Sequence, residues 1–558
     1  MKPNYITGFC TAVALAAAAG LTSCGDFLEE YSQDLAKVQG WQDLDEVLLG
    51  EGYIHPGRVD VDGGYWESGL GNESRDLNFD FLHYMTDEMY LTTYGGGDVF
   101  MNYETYYAYY TWQPDPGVDH ENRYQGGDEK YWDGLYKRIQ TCNMVISLIG
   151  DQPEPLESDR IAKKRILGEA LFLRGLYYFM LTNIYCEPYA PSTAASTTGM
   201  PLKFTEFIED KEFERASLRD TYDKIVEDLL LAAQSLEGTT PKSVYHADVN
   251  TANLLLSRVY LYMQDWEKAA EYANKAIASG KSLMSLGAVT PGQSCLSATN
   301  PELFFTMGDY IVASMFMDRR YDEATWEISS DMTSLYEQND LRAGRYFGQS
   351  EFKSSNAAFL KYSLQNSLIE TPNQVGSVFT FRLAEAYLNL AEVELCAGNE
   401  AEARKALDTL RNKRITGNTP SAESGEALAQ AIRDERAREF LLEGHRWFDL
   451  RRYSVNEKYP WSKEIVHGYR FYISDYDNDY YNYELSTSWY RLEKNDPAYT
   501  LPVPRKVRNF QVSLGTSNRP NRSPYQVTTP DYDEGGDDDW GDDDWGDDDW
   551  DDWGDEEW

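Results

Sequence analysis

Residues 252–277 read ANLLLSRVYLYMQDWEKAAEYANKAI. Apolar side chains recur at helical spacing on both sides of Asp265 and Trp266, which predicts one helix over 252–263 and a second over 267–277, with a tight turn between them. The second helix carries small residues at Ala269, Ala270, Ala273 and Ala276. Small side chains allow two antiparallel helices to approach closely, and this is the design of a tetratricopeptide helix pair.

The same helix pair returns farther along the chain. At a spacing of 134 residues, the positions of Leu256, Val259, Leu261 and Ala269 are repeated by Leu390, Val393, Leu395 and Ala403. A turn at Gly398 and Asn399 joins the two helices of the second copy. Helix pairs of this kind cannot bury their apolar faces alone and must stack on one another. The repeat therefore predicts a stacked helical scaffold.

Amphipathic helices are also predicted nearer the N-terminus, because apolar residues recur at helical spacing over 132–146, 161–184 and 221–236. Ser217 is placed to cap the third of these helices.

Three long segments lack a helical period and are rich in turn-forming or aromatic residues, namely 60–127, 282–380 and 455–530. Loops of this length usually carry function. The sequence therefore predicts a mostly α fold, a tetratricopeptide-like helix-pair scaffold decorated by long loops and small β elements.

The first 23 residues have the features of a secretory signal. Lys2 precedes an apolar, alanine-rich run from Val13 to Gly20 that is too short to span a membrane. The run ends in Leu21-Thr22-Ser23-Cys24-Gly25, which matches the lipobox of bacterial lipoproteins, where a small residue precedes the cysteine that receives the lipid. We therefore expect residues 1–23 to be a signal peptide and Cys24 to carry the lipid anchor. The alternative is an ordinary signal peptide with a chance cysteine.

The chain is strongly acidic. Its net charge is −42, and such a polyanion does not hold nucleic acid by neutralising phosphates. Residues 531–558 contain 17 acidic residues and no basic one, with the sequence Gly-Asp-Asp-Asp-Trp starting at Gly536 and again at Gly541. Like charges repel and the segment has no apolar face, so we expect a disordered tail.

No arrangement of side chains in the sequence marks a catalytic or metal site. The six histidines are never paired at metal-ligand spacing, and the H-E-x-x-H and G-x-S-x-G motifs are absent. Residues 475–479 resemble the first half of a calcium loop, but Tyr480 and Ser486 stand where that loop needs Gly and Glu. We therefore expect no catalytic residue, no metal and no cofactor, and we interpret 475–479 as a solvated acidic loop.

Five runs of the sequence resemble the SusD/RagB family, the surface lipoproteins that partner TonB-dependent outer-membrane transporters in Bacteroidetes. The runs are Cys24 to Leu28, Trp132 to Tyr136 with Ile139 and Asn143, Gly168 to Gly175, Arg382 to Leu388 with Ala391 and Glu392, and Ile432 to Arg452. Leu501-Pro502-Val503-Pro504 matches the family's closing Ile-Pro motif, whereas Gln511 to Leu514 departs from its Asn-Pro-Gly-Tyr-like end.

The fifth run is the most specific of the five. Its charged residues at helical spacing are Arg433, Glu435, Arg436, Glu439 and Glu443. Opposite charges three or four residues apart pair along one helix, so we interpret this set as scaffold whose members pair with one another, and not as ligand contacts.

The resemblance implies a SusD-like α domain over 24–530, with an N-terminal part over about 24–240 and a C-terminal part over about 250–530. It also implies a binding protein and not an enzyme. Such a protein is anchored by lipid to the outer membrane and faces the cell exterior. It hands oligosaccharides, or peptides in RagB-like members, to a SusC-like transporter.

Aromatic residues in the loops give the candidate ligand site. One group combines the rings at 103–112 with Trp66, Tyr90 and Tyr94; a second comprises Tyr310, Phe316, Tyr321 and Trp326; a third runs from Tyr469 to Trp489. Sugar rings present flat C–H faces that stack on aromatic rings, while tyrosine hydroxyls need polar partners. For any single ring, packing in the core of a loop is the alternative.

The family builds its ligand platform from the first two of these regions, so the resemblance implies a site where 66–112 meets 310–326. We expect Tyr94 and Trp112 to stack on one side of the ligand and Tyr310 and Trp326 on the other. We expect Asp87 and Arg319 to fix the ligand's orientation.

Two other functions stay open at this point. With 93 acidic residues, some pair of carboxyl groups always lies close enough for glycoside hydrolysis, so a surface glycoside hydrolase is the main alternative. The other is an interaction protein built on tetratricopeptide repeats without a ligand of its own. The sequence does not distinguish a glycan ligand from a peptide.

Overall fold

A computed structural model of the chain describes residues 38–55, 77–91, 106–207, 209, 211–291, 293–308, 326–350, 353–359, 361, 375–475, 481–515 and 519–529. The signal peptide at 1–23, Cys24 and the acidic tail at 531–558 lie outside these residues, so the expectations about them stay predictions. Within the described part the fold is mostly α, as the sequence predicts.

The helices are α1 (Trp41–Val47), α2 (Phe81–Tyr84), α3 (Lys130–Leu148), α4 (Glu157–Tyr185), α5 (Leu218–Leu236), α6 (Val249–Met263), α7 (Trp266–Ile277), α8 (Ser330–Thr333), α9 (Leu383–Cys396), α10 (Glu400–Arg411), α11 (Gly425–Glu439), α12 (Arg446–Ser454) and α13 (Arg505–Phe510). From α3 to α7 each helix packs on the next, α7 then packs on α9, and α9 packs on α10 and α11. The predicted stack of helix pairs is confirmed. None of the helices in the described part is both long enough and apolar enough to cross a bilayer.

The α6–α7 pair forms for local reasons that the sequence shows. Gln264 ends α6 in the left-handed conformation with φ of 62°. The side chain of Asp265 then caps α7 by accepting a hydrogen bond of 3.1 Å from the amide of Lys268. The alanines of α7 face α6, where Ser257 Oγ donates to the carbonyl of Ala269 at 3.0 Å. The helix begins at Trp266, one residue earlier than predicted.

Two glycines allow the long helix α4 to lie close against α5. A Cβ at Gly168 would stand 2.6 Å from Leu236 Cγ, and a Cβ at Gly175 would stand 3.0 Å from Leu229 Cγ. Ser217 caps α5 as predicted, because its Oγ accepts a hydrogen bond from the amide of Asp220 at 3.0 Å.

The strands form small antiparallel sheets. They are β1 (Met89–Leu91), β2 (Thr198–Pro201), β3 (Arg215–Ser217), β4 (Leu303–Met307), β5 (Trp326–Ile328), β6 (Phe347–Ser350), β7 (Lys353–Phe359), β8 (Phe379–Arg382), β9 (Ile465–Asp475), β10 (Tyr481–Leu492) and β11 (Gln526–Thr528). The pairs are β1–β5, β2–β3, β4–β8 and β6–β7, and one three-stranded sheet has the order β11–β10–β9. Most of these strands lie in the segments that lack a helical period.

A buried ion network joins the segment between α7 and α9 to the helical stack. Glu439, at the end of α11, contacts Arg382 at 2.5 Å, Arg414 at 2.8 Å and Arg342 at 3.0 Å. Burial alone would raise the pKa of Glu439, but these guanidinium groups hold it well below its ordinary value. We define this set as the Glu439 network.

The charged residues of the fifth sequence run are therefore scaffold, but the prediction that they pair with one another is wrong. Glu443 pairs with Arg382 and Lys361, and Arg436 pairs with Asp449 of α12. Within α11, Arg433 pairs with Glu426 and Glu435 with Arg438. The other partners lie on other elements because these side chains point into the core, where their charges need compensation from every side.

We predict that Glu439→Gln lowers the free energy of unfolding by about 3–5 kcal/mol, because it leaves buried guanidinium groups without compensating charge. Glu271→Gln is the matched control. Its carboxylate pairs with Lys268 and Lys275 on the surface of α7, and an exposed pair contributes about 0–1 kcal/mol. Urea unfolding followed by far-UV circular dichroism measures both, and equal losses would contradict a special role for the network.

Candidate ligand-binding site at one end of a two-stranded ribbon

The strands β1 and β5 form a short ribbon that positions the predicted site. Leu91 pairs with Trp326 and Met89 pairs with Ile328 in antiparallel register. The chain therefore leaves β1 beside the point where it enters β5. Both sequence regions of the predicted platform are joined to this end of the ribbon, which we call the loop end.

Three of the predicted site residues, Tyr94, Tyr310 and Arg319, lie outside the described residues. Tyr94 follows β1 in the chain, and Tyr310 and Arg319 precede β5. Their contacts with a ligand stay predictions.

Trp326 lies under the loop end and not on its surface. It is 3% exposed. Tyr84 stacks on its ring at a centroid distance of 5.1 Å, while Tyr106 and Tyr110 approach edge-on at 5.0 and 5.3 Å. No face of the ring is open to a ligand, so the predicted stacking role of Trp326 is corrected: the ring packs beneath the loop end.

Trp112 is also buried, with no exposed surface. Its Nε1 donates a hydrogen bond of 3.0 Å to the carbonyl of Met85, and its ring stacks on His467 of β9 at 4.4 Å. The other face of His467 stacks on Tyr110 at 4.1 Å. The prediction that Trp112 contacts the ligand is corrected for the same reason, because the ring belongs to a stack that joins the ribbon to the β9–β10 hairpin.

His467 is the residue of this region that sequence reasoning missed. Its Nδ1 lies 2.7 Å from the carbonyl of Tyr110 and its Nε2 lies 2.9 Å from the carbonyl of Thr86. Burial lowers the pKa of His467 to about 4, although the two carbonyls oppose the shift. A single histidine in a β segment gives no sequence signal for this position.

We predict that stability depends on pH through His467. Between pH 6.5, the ordinary pKa of histidine, and pH 4 the unfolded chain binds a proton that the folded chain does not. The free energy of unfolding therefore falls as pH drops through this window, with a contribution from His467 of up to about 3 kcal/mol. Urea titrations from pH 7 to pH 4.5 measure the slope, which should be smaller in His467→Gln. Equal slopes in the two proteins would contradict the assignment.

Tyr90 is the exposed ring of the ribbon. Among the described aromatic residues of 66–112 it alone is exposed, with 37% of its surface accessible. Its hydroxyl donates to the carboxylate of Glu327 on the opposite strand. Burial, and then this hydrogen bond, raise the pKa of Tyr90 to about 12. The ribbon thus presents one ring and one carboxylate side by side.

Asp87 lies at the opposite end of the ribbon from the loops. Its carboxylate receives two hydrogen bonds of 2.7 Å from Arg446 and one of 2.7 Å from Lys463. Burial alone would raise the pKa of Asp87, but these cations bring it well below its ordinary value. The prediction that Asp87 shares one platform with the aromatic rings is therefore corrected.

The third aromatic group lies on the β9–β10 hairpin. Tyr469 is buried and approaches Tyr107 edge-on at 4.8 Å. Residues 475–479, interpreted from the sequence as a solvated acidic loop, fall largely outside the described residues, which end at Asp475 and resume at Tyr481.

Two family models match the chain. One, with the description "Starch-binding associating with outer membrane", matches residues 83–261, and the other, with the description "SusD family", matches residues 257–514. The chain belongs to the SusD/RagB family. The two matches overlap at residues 257–261, in the second half of α6, and together they include the ribbon, the helical stack and the Glu439 network. This family is associated with the outer membrane.

Solved structures of the family share the fold. A proposed sugar-binding protein from Bacteroides vulgatus is 21% identical, with a TM-score of 0.63, and the match covers 88% of this chain and 99% of that one. A SusD superfamily protein from Bacteroides thetaiotaomicron is 19% identical, with a TM-score of 0.61 over 86% and 98% of the two chains. A SusD-like carbohydrate binding protein from Bacteroides vulgatus is 18% identical, with a TM-score of 0.61 over 87% and 99%. No protein of curated function matches the sequence.

Proposed function

We propose that this SusD-like protein is anchored by lipid on the outer face of the outer membrane, where it captures oligosaccharides and delivers them to a SusC-like TonB-dependent transporter. The observation that carries the proposal is the ribbon. It joins the two aromatic loop regions at one end, and its central residue pair exposes Tyr90 beside Glu327. The sugar-binding and carbohydrate-binding descriptions of related structures support a glycan as the ligand.

The chemistry of the loop end suits a sugar. Exposed tyrosine rings offer flat apolar faces to the C–H side of a pyranose, and their hydroxyl groups also bond to polar neighbours. In this proposal Tyr94 and Tyr310 stack on the glycan, and Arg319 bonds to its hydroxyl groups. Trp112 and Trp326 keep the platform rigid from below, since a site held by packed residues loses less freedom when a ligand binds.

Capture and not hydrolysis is proposed because the related structures are described as binding proteins. The alternative, a surface glycoside hydrolase, would use two carboxyl groups about 5–10 Å apart across a glycosidic bond. Incubation of the protein with starch, xylan and mannan separates the two functions. Release of reducing ends above that of a heat-denatured sample would overturn the proposal.

We predict that Tyr94→Ala combined with Tyr310→Ala weakens glycan binding roughly tenfold or more, because each stacked ring contributes about 1 kcal/mol. Affinity electrophoresis in gels containing starch, xylan or mannan measures the effect. Tyr245→Ala is the control, since Tyr245 is an exposed tyrosine that precedes α6, outside both platform regions. Undiminished retardation of the double variant would move the site elsewhere. Binding to a casein digest alone would make the ligand a peptide.

We predict that Cys24→Ala abolishes labelling by an alkyne-tagged fatty acid and releases the protein from the membrane fraction. The physical reason is that the thiol of Cys24 is the lipid attachment point of the lipobox, and no described helix could hold the protein in the membrane instead. Persistent labelling of the variant would contradict the anchor. Resistance of the wild-type protein to protease added to intact cells would contradict display on the cell exterior.

A further inference from the structure

A cleft of about 330 Å³ opens at the end of the ribbon opposite the loop end. We call it the second cleft. Its lining comes from the residues that flank β1 and β5, from α11, from the start of α12 and from the segment before β9. Clefts that hold small ligands begin at about this volume.

The floor of the second cleft is a fixed set of charges. The guanidinium of Arg446 holds both oxygens of Asp87 at 2.7 Å. Lys463 lies 2.7 Å from Asp87 and also 2.7 Å from Asp331, which follows β5. Lys463 therefore bridges Asp87 in the floor and Asp331 in one wall, and these charges compensate one another without a ligand.

The opposite wall combines an aromatic ring with hydrogen-bonding groups. The half-buried ring of Trp461 lies 5.7 Å from the guanidinium of Arg433, and its backbone amide donates to the carbonyl of Tyr453 at 2.9 Å. From α11, Gln430 donates to Asp434 at 2.8 Å. Such a ring with adjacent amide and carboxylate groups matches the two faces of a sugar, one of C–H bonds and one of hydroxyls.

One buried polar atom among the lining residues has no protein partner. Ser462 Oγ is buried and makes no hydrogen bond within the part of the chain that the structure describes. Buried hydroxyl groups in proteins are normally hydrogen-bonded.

The charge of the lining indicates which glycans fit. Four acidic and four basic side chains line the second cleft, so the lining carries no net charge. The chain as a whole carries −42, and a field of that sign opposes the approach of anionic ligands. A neutral sugar faces no such penalty, and its hydroxyl groups both donate to carboxylates and accept from lysine and arginine.

We propose that the second cleft binds a neutral sugar unit of an oligosaccharide, with Trp461 as the stacking ring and with Gln430, Asp434 and Lys463 bonding to hydroxyl groups. This inference rests on the proposed function and adds a binding site that is separate from the loop end. Two sites at the ends of one ribbon raise the effective affinity for a long glycan, because the second contact becomes intramolecular.

The test uses the full chain labelled with 5-fluorotryptophan. Trp461 is one of 14 tryptophans, and Trp461→Phe assigns its ¹⁹F resonance. The resonance is followed during titration with maltoheptaose, xylohexaose, mannohexaose and, as the anionic probe, trigalacturonate. We expect it to shift with at least one neutral oligosaccharide and not with trigalacturonate. The shift should persist in the Tyr94→Ala, Tyr310→Ala variant, because the loop end is a different site.

A variant pair tests the wall of the second cleft. Gln430→Ala with Asp434→Ala should weaken the binding reported by Trp461 about tenfold, as expected for two lost hydrogen bonds. Glu402→Ala with Lys405→Ala is the matched control, since it removes an exposed ion pair from the neighbouring helix α10. Unchanged melting temperatures show that both variants are folded.

The outcomes separate the two proposals. If affinity electrophoresis shows binding to starch, xylan or mannan while Trp461 responds to no neutral oligosaccharide, the second cleft is overturned and the proposed function stands. If Trp461 responds to trigalacturonate alone, the preference for neutral sugars is overturned. If the chain binds no glycan by either method, both proposals fail.

Discussion

The carboxylate of Glu439 is the group on which the packing of the segment between α7 and α9 against the helical stack depends. It lies in the core at the end of α11 and compensates three guanidinium groups from separate parts of the chain: Arg342 before β6, Arg382 at the end of β8 and Arg414 after α10. Without this charge, the segment between α7 and α9 would bring cations into a core that cannot solvate them. The segment between α7 and α9 therefore packs on the helical stack through electrostatic compensation and not through apolar contacts alone.

The ribbon rests on the same part of the core. The turn after α11 places the amide of Leu442 2.8 Å from Glu88 Oε1, one residue before β1. Glu443, the next residue, pairs with Arg382 of the Glu439 network. The orientation of β1 is thus set by a turn that the network holds, and β5 follows β1 through the ladder. The ribbon that carries both candidate sites is therefore held by residues that lie in the core.

The sequence predicts the helices well and the site poorly, for physical reasons. Helical periodicity reports which face is buried, and caps such as Ser217 mark helix ends. A tryptophan carries no such signal, so Trp112 and Trp326 could not be distinguished from surface rings before their neighbours were known. Asp87 meets Arg446, which lies 359 residues away in sequence, and a contact of that range leaves no local pattern. The juxtaposition of the two loop regions was predictable only from the family resemblance.

The pairing of Leu91 with Trp326 has a consequence for how the molecule assembles. The two strands are three residues long, yet they close a chain segment of more than 230 residues. Closing a loop of that length costs conformational entropy that so few ladder bonds do not offset. The ribbon gains its stability only once the intervening helices have stacked, so this part of the fold forms after them. A chain that stalls during folding therefore lacks the ribbon and the proposed binding surface that the ribbon carries.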